Sequence, residues 1–299
     1  MSLLRHPALR AAGWMAVSIA SFVLMAVAAR QLSGHMAPAE ILMLRSVASL
    51  AILVLLRPWL GPDAFSTRRP GLHVARNLIH FVGQYAWVWG IALAPLAVVT
   101  AIEFTTPVWV ALLAALLLGE HIPPPRRMAI AAGIIGVLVI VRPGGTAFGP
   151  AALIVLAGAF CFAASILAVK RLLRTDGVTA VVFYMSVIQL PMGLVASAFV
   201  WVRPAPGDVP WLVAMGATAL SAHYAMGRAL ALGDASFVLP IDFLRLPLVA
   251  LTALLLYGEP IDAWTMVGAA LIFAGNYWSV RHEARAITSA AAAVPSDDG

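Results

Sequence analysis

Long apolar segments, separated by short polar stretches, follow one another along almost the whole chain. About 20 mostly apolar residues are enough for a helix to cross a bilayer, and prolines and glycines mark the joints between the segments. The pattern therefore predicts ten spans, near residues 11–30, 39–56, 73–92, 95–118, 128–141, 150–169, 178–202, 210–230, 235–256 and 262–280. Residues 281–299 are small and polar, and we expect a disordered tail there.

The composition agrees with a membrane protein. Hydrophobic residues make up 62% of the chain and charged residues 11%, whereas soluble domains carry about a quarter charged residues. The net charge of +6 would suggest a nucleic-acid partner in a soluble protein. In a membrane protein, however, basic residues are expected in the cytoplasmic loops. The positive charge is explained in this way, so no nucleic-acid partner is expected.

The basic residues predict the orientation of the spans, because Lys and Arg concentrate in cytoplasmic loops. With the N-terminus inside, three arginines fall in outer segments and two, Arg45 and Arg245, fall within spans. The other fourteen basic residues fall in inner segments: Arg5, Arg10, Arg57, Arg68, Arg69, Arg76, Arg126, Arg127, Lys170, Arg171, Arg174, Arg228, Arg281 and Arg285. Both termini are therefore expected in the cytoplasm.

The two halves of the chain repeat each other. A shift of 139 residues aligns residues 92–142 with 231–281 without a gap, and Glu103 falls on Asp242. The units 11–141 and 150–280 each hold five predicted spans. Because five is odd, the second unit should lie inverted in the bilayer, as in many secondary transporters. The predicted fold is an all-α integral membrane protein of ten transmembrane helices in two inverted five-helix repeats.

These features resemble the EamA branch of the drug/metabolite transporter superfamily. The resemblance rests on residues 94–96 (Ala-Pro-Leu), 117–120 (Leu-Leu-Gly-Glu) and 256–259 (Leu-Tyr-Gly-Glu); the second half has Gly-Asp at 233–234 in place of Ala-Pro. The resemblance implies a protein of a bacterial-type inner membrane that carries a small molecule. Members of the family move amino acids, nucleotide-linked metabolites, vitamins or metal-chelating metabolites.

Charged residues within spans are costly and usually face a cavity or pair with one another. Arg45 and Glu103 lie at similar depths in different spans, which predicts an ion pair between them. Asp242 and Arg245 are three residues apart and share a helix face. These groups could bind the two ends of a zwitterion, or they could only neutralise one another and fix helix packing.

A polar and aromatic stripe follows the third predicted span. His80, Gln84 and Trp87 share one helix face, which indicates a cavity lining or hydrogen bonds between helices. His80 could titrate near neutral pH, but coupling to protons stays open. The candidate substrate-binding residues are Arg45, His80, Gln84, Tyr85, Trp87, Glu103, His223, Tyr224, Asp242 and Arg245.

Prolines within spans predict local breaks or simple bends, at Pro107, Pro191, Pro240 and Pro247. Backbone carbonyls freed at a break can bind a substrate where they line a cavity. The Gly-Glu pairs at 119–120 and 258–259 fall at span ends and indicate helix termination.

The favoured function is a secondary transporter that exports a small polar metabolite. The substrate would be an amino acid or an amino-acid-derived zwitterion, with a metallophore as one possibility. One alternative is an importer of a vitamin or nucleoside-like cofactor such as riboflavin or S-adenosylmethionine, which would stack on the aromatic face. Another is an intramembrane enzyme, but no catalytic or nucleotide-binding motif is present. No cofactor or metal site is expected.

Overall fold

The protein is described by a computed structural model that covers residues 7–118, 122, 124–142, 149–232 and 241–292. Within these residues there are eleven α-helices and no strand, which confirms the all-α expectation. They are α1 (Pro7–Ser33), α2 (Pro38–Leu56), α3 (Pro70–Leu93), α4 (Leu96–Glu103), α5 (Thr106–Leu118), α6 (Pro124–Val141), α7 (Pro150–Leu172), α8 (Val178–Ser197), α9 (Val209–Leu232), α10 (Arg245–Tyr257) and α11 (Ala263–Ala292). Short 3₁₀ turns cover Arg57–Trp59 and Pro206–Asp208.

The fourth and ninth predicted spans are both interrupted, and the interruptions are repeat mates. Helix α4 ends at Glu103 and α5 begins at Thr106, while residues 243–244 form the turn before α10. At the first break Pro107 has no N–H to donate, and the Thr106 hydroxyl donates to the carbonyl of Glu103. The break expected near Pro107 is confirmed, and a turn precedes Pro247.

The helices pack in pairs that the 139-residue shift relates. Helix α1 packs on α9, and α3 packs on α7. These two pairs are equivalent, because α7 is the repeat mate of α1 and α9 is the repeat mate of α3. The pairs α2 with α8 and α6 with α11 are each formed by two repeat mates. The arrangement is consistent with a two-fold relation between the halves.

Small residues allow the closest helix contacts, as is common in membrane bundles. A methyl group added to Gly136 on α6 would lie 2.6 Å from the carbonyl oxygen of Gly268 on α11, and the reverse distance is 2.5 Å. A methyl group added to Gly275, the repeat mate of Gly136, would lie 2.6 Å from the Cβ atom of Ala132 on α6. Larger side chains at these positions would push the two helices apart.

Six helical segments in the described parts of the chain are long and apolar enough to cross a membrane. They are Leu9–Ser33, Pro38–Trp59, Leu96–Leu117, Pro124–Val141, Pro150–Leu172 and Val178–Ser197. A shorter apolar helix, Arg245–Tyr257, accompanies them. Helices α3, α9 and α11 are of similar or greater length but contain more polar residues. The number of ten spans is therefore supported only in part.

Three details of the predicted segments are wrong. The tail expected after residue 280 continues as helix α11 to Ala292, because its alanine-rich sequence has a high helix propensity. The seventh predicted span, which is helix α8, ends at Ser197 instead of near residue 202, and it passes through Pro191 without a break. Arg76, grouped above with the loop arginines, lies inside α3 and is 3% exposed.

Some predicted features fall outside the described residues: the Gly-Glu pair at 119–120, Pro240, the Gly-Asp pair at 233–234 and the end of the tail at 293–299.

Candidate functional site

An ion triad, formed by Arg245, Glu103 and Asp242, lies where the two interrupted spans meet. Arg245 Nη1 donates to Glu103 Oε1 at 3.0 Å, and Arg245 Nη2 donates to Asp242 Oδ2 at 3.2 Å. The side chains of all three are at most 16% exposed. The predicted Asp242–Arg245 pair is confirmed.

The predicted Arg45–Glu103 pair is wrong. Both oxygens of Glu103 have other donors, since Glu103 Oε2 accepts a hydrogen bond from the indole N–H of Trp87 at 3.0 Å. Arg45 donates instead to the side-chain amide of Gln189. Matched depth alone misled the prediction, because it ignored which face of each helix carries the charge.

The triad is enclosed by aromatic rings. The guanidinium of Arg245 lies 4.6 Å from the ring centroid of Phe22 and 4.8 Å from that of Phe104, within the range of cation–π attraction. Phe104 stacks on its repeat mate Phe243 with ring centroids 4.7 Å apart. The repeat mates Glu103–Phe104 and Asp242–Phe243 therefore come together around one cation.

A second polar cluster, the two-arginine cluster of Arg45, Arg76, Asn77 and Gln189, joins α2, α3 and α8. Arg45 Nη2 donates to Gln189 Oε1 at 2.6 Å, and Arg76 Nη1 donates to Asn77 Oδ1 at 2.8 Å. Gln189 Nε2 donates to Asn77 Oδ1 at 3.2 Å and so links the two halves of the cluster. All four residues are buried.

Two histidines connect this cluster to the triad. Gln189 Nε2 also donates to His80 Nδ1 at 3.0 Å, so His80 accepts there and carries its proton on the other ring nitrogen. His80 and His223 have ring centroids 5.8 Å apart, and Phe22 lies edge-on to His223 at 5.5 Å. Since Phe22 also contacts Arg245, a continuous file of polar and aromatic groups runs from Arg76 to Glu103.

The predicted stripe on α3 is buried along its whole length. His80, Gln84 and Trp87 are 4%, 5% and 8% exposed. The side-chain oxygen of Gln84 is buried and has no hydrogen-bond partner within the described parts of the chain. An unpaired buried acceptor costs free energy, so Gln84 is the residue of the stripe best suited to accept a ligand's N–H or O–H group.

The two candidate tyrosines lie away from this file. Tyr85 packs edge-on against Trp89, which is 44% exposed. Tyr224 packs edge-on against Trp14, whose ring also receives the guanidinium of Arg228. Both tyrosines are only half-buried, and neither contact joins the polar file.

Arg76, Asn77 and Gln189 were missed as site residues in the sequence. The signal was present on α3, because His73, Asn77, His80 and Gln84 follow one face at spacings of four, three and four residues. Extending the stripe toward the start of the helix would have included Asn77 and drawn attention to its neighbour Arg76. Gln189 was noted only as a neighbour of Pro191.

At the far end of the bundle, Gly258 and Glu259 do more than terminate α10. Gly258 has φ of +65°, a conformation that favours glycine, and its N–H caps the helix. Glu259 then accepts from the N–H of Leu96 at 2.8 Å, at the start of α4, and pairs with Arg30. The same arginine donates to the carbonyl of Ala94 at 3.2 Å. The second-half Gly-Glu pair thus ends helix α10 and also binds the second half of the chain to the first half.

A buried carboxylate lies between the start of α3 and the turn after α7. Asp176 Oδ2 accepts from the Thr67 hydroxyl and lies 2.9 Å from His73 Nε2, and the backbone N–H of Arg68 donates to its other oxygen at 3.3 Å. Burial by itself would raise the pKa of Asp176, but these hydrogen bonds stabilise the carboxylate and hold its pKa below the usual range. The loop before α3 is therefore tied to the α7–α8 turn.

The residues that the structure describes contain no group of three or more His, Cys, Asp or Glu side chains placed to bind a metal ion.

Comparison with known proteins finds carriers of small molecules. The chain is 24% identical to the S-adenosylmethionine uptake transporter of Rickettsia prowazekii, over 92% of this chain and 94% of that protein. It is 30% identical to the riboflavin transporter of Vibrio cholerae, over 91% and 93%. It is 26% identical to the pseudopaline exporter CntI of Pseudomonas aeruginosa, over 84% and 89%.

A solved crystal structure shares the fold, with a TM-score of 0.66 at 19% identity, over 91% of this chain and 96% of the other. Residues 9–142 and 149–281 each match the EamA-like transporter family. With almost the whole length matched in two copies, the chain belongs to the EamA-like transporter family.

Proposed function

We propose that this membrane transporter works by alternating access, with its substrate bound between two inverted halves. The observation that carries the proposal is the triad of Arg245, Glu103 and Asp242. Its two carboxylates are repeat mates at matching helix breaks, and the single cation comes from the second half. Charges that are buried in this way in carriers typically mark the substrate path near the midplane.

The inverted arrangement is supported by the packing of repeat mates, α2 with α8 and α6 with α11. Ten spans put both termini on the same side of the membrane, and the distribution of basic residues predicts that this side is the cytoplasm. Replacing Cys161, the only cysteine of the chain, with serine gives a background for single-cysteine labelling. A membrane-impermeant maleimide should label Gly145→Cys in intact cells and Gly299→Cys only after permeabilisation. Labelling of Gly145→Cys only after permeabilisation would contradict this topology.

We place the substrate along the polar file. The first half contributes His80, Gln84, Trp87 and Glu103, and the second half contributes His223, Asp242 and Arg245. The unpaired oxygens of Gln84 and Asp242 support this placement, because a ligand donor could satisfy both. Tyr85 and Tyr224 are assigned a packing role, since their contacts lie outside the file.

For the substrate, we favour a nucleoside-like metabolite taken up into the cell, of the S-adenosylmethionine type. The relatives named for S-adenosylmethionine uptake span almost the full chain, and the file combines aromatic rings with charges of both signs. Export of an amino-acid-derived zwitterion, favoured from the sequence, is the second candidate. It is supported by the relative named as a pseudopaline exporter.

The test uses purified protein in proteoliposomes. Uptake of labelled S-adenosylmethionine, riboflavin and methionine is measured with and without the same compound preloaded inside. We expect preloading with S-adenosylmethionine to accelerate its exchange, and Glu103→Gln to abolish that exchange while leaving a folded monodisperse protein. Exchange of none of the compounds by well-incorporated protein would reject uptake of this class, and efflux of preloaded methionine alone would favour the export candidate.

A further inference from the structure

The two-arginine cluster holds two buried cations and no anion. Arg45 is 2% exposed and Arg76 is 3% exposed. Neither guanidinium forms a salt bridge with a carboxylate in the described parts of the chain. Arg245, in the same helix bundle, differs from both because it forms salt bridges with two carboxylates.

Within the described residues, the carboxylates that lie inside the bundle or at its ends have other partners. Glu103 and Asp242 bind Arg245, Glu259 binds Arg30, Asp176 binds His73, Asp208 binds His35, Asp262 binds Arg142, and Glu40 accepts from the backbone of Val202.

The amides of the cluster do not replace an anion. An arginine has five N–H donors and needs several acceptors, but Gln189 Oε1 serves Arg45 alone and Asn77 Oδ1 is shared between Arg76 and Gln189. The Nε atoms of Arg45 and Arg76 are buried without a hydrogen-bond partner. The cluster thus has spare donors and a charge of two cations with no counter-charge.

We propose that Arg45 and Arg76 form an anion subsite that binds a carboxylate or phosphate-type oxyanion of the transported molecule. The inference rests on the proposed transport function and narrows its substrate class. A guanidinium binds such oxyanions through paired hydrogen bonds, and an anion arriving with the substrate would neutralise a buried charge that is expensive while the site is empty.

This subsite discriminates between the candidate substrates. Riboflavin carries no ionised acid at neutral pH, whereas S-adenosylmethionine carries an α-carboxylate beside its ammonium and sulfonium groups. With the carboxylate at Arg45 and Arg76, the polar file places Glu103 and Asp242 further along the site, where they suit the cationic part of the molecule. Substrates without an acid group would leave the two arginines unpaired.

The first experiment measures thermal unfolding of the purified protein with sodium succinate as the probe. Sodium chloride of equal ionic strength is the comparison. We expect succinate at saturating concentration to raise the unfolding midpoint by about 2–4 °C and chloride to leave it unchanged. The rise should vanish in Arg45→Gln and in Arg76→Gln. It should persist in Arg174→Gln, which removes one exposed positive charge from a loop.

A further variant, Gln189→Glu, keeps both arginines and therefore tests the subsite even if Arg45→Gln or Arg76→Gln does not fold. Gln189→Glu places a carboxylate beside Arg45 with almost no change of shape. The variant loses the hydrogen bonds that Gln189 Nε2 donates to Asn77 and His80, so we expect no gain in its unfolding midpoint without succinate. The rise with succinate should disappear, because the new carboxylate takes the place of the added anion at Arg45. An undiminished succinate response in this variant would overturn the proposal.

Three further outcomes are decisive. An equal rise with chloride, lost in the arginine variants, would assign the site to an inorganic ion and overturn the substrate claim. Efficient exchange of riboflavin, unaffected by Arg45→Gln, would overturn the subsite while upholding transport. A succinate response that depends on both arginines, in a protein that exchanges none of the tested metabolites, would uphold the subsite and count against the proposed function.

Discussion

Buried arginines at two places in this protein have opposite kinds of surroundings. Arg245 meets two carboxylates and lies between two aromatic rings, so its charge is more than balanced by the protein itself. Arg45 and Arg76 meet only amides. The first arrangement holds the two halves together in the unliganded protein. The second leaves a positive charge that the described part of the protein does not balance, which is why we assign anion binding to Arg45 and Arg76 rather than to Arg245.

The largest expected effect comes from breaking the balanced group. Arg245→Met should reduce the free energy of unfolding by about 3–5 kcal/mol, because it leaves two buried carboxylates without a cation. Chemical denaturation of the purified protein and membrane levels in cells would measure the loss. The control is Arg142→Met, which removes an exposed ion pair with Asp262 and should cost no more than about 1 kcal/mol. Equal losses in the two variants would contradict the assigned role of the triad.

The next effect concerns the second donor to Glu103. Trp87→Phe removes the indole N–H and should cost about 1.5–3 kcal/mol, because hydrogen bonds to charged groups are stronger than neutral ones. Trp89→Phe is the matched control on the same helix, since that ring is partly exposed and contacts Tyr85. The two variants are compared by thermal unfolding and by substrate exchange. If Trp89→Phe proved the more harmful, the Trp87–Glu103 bond would not be the stabilising contact.

The sequence predicted the all-α fold and the repeat because both depend on patterns within the chain. Apolar segments reveal spans, and the Glu103–Asp242 correspondence reveals the repeat. The Asp242–Arg245 pair was predictable since its partners lie on one helix. The partner of Glu103 was not, because helix rotation and the turns at residues 104 and 243 decide which side chains meet. Arg76 was missed because a charge near a helix end is ordinarily assigned to the loop.

Asp176 is a buried anion, in contrast to the buried cations of the two-arginine cluster. Its carboxylate is bound by a histidine and by neutral hydrogen-bond donors. Its pKa is lowered in the folded protein, so its contribution to stability is present above the unfolded pKa of about 3.9 and is lost as the pH falls toward the folded value. Asp176→Asn should therefore cost about 1–3 kcal/mol near pH 7.

The pH dependence of this difference is the check on Asp176. The difference between the unfolding midpoints of the two proteins, measured from pH 7 to pH 3, should be constant down to about pH 4 and should begin to shrink below that pH. The exposed Asp63→Asn change should leave the difference near zero at every pH. A gap between Asp176→Asn and the unsubstituted protein that widened on acidification would mean that the carboxylate is not stabilised by its neighbours.

The smallest expected effect on stability is the most informative about the comparison. Arg45→Met removes a buried cation that has no carboxylate partner, so no opposite charge is stranded. The substitution loses one hydrogen bond to Gln189, worth about 1.5–3 kcal/mol, but it also removes the cost of keeping an unpaired charge out of water. The two terms oppose each other, and the net change should stay within about 1 kcal/mol.

Denaturation of Arg45→Met and Arg245→Met under identical conditions makes the comparison direct, with exchange activity measured on the same samples. Arg45→Met should unfold like the original protein yet fail to exchange a substrate that bears a carboxylate. A loss of stability as large as that of Arg245→Met would show that the protein itself balances Arg45, and the distinction between the two groups of arginines would not hold.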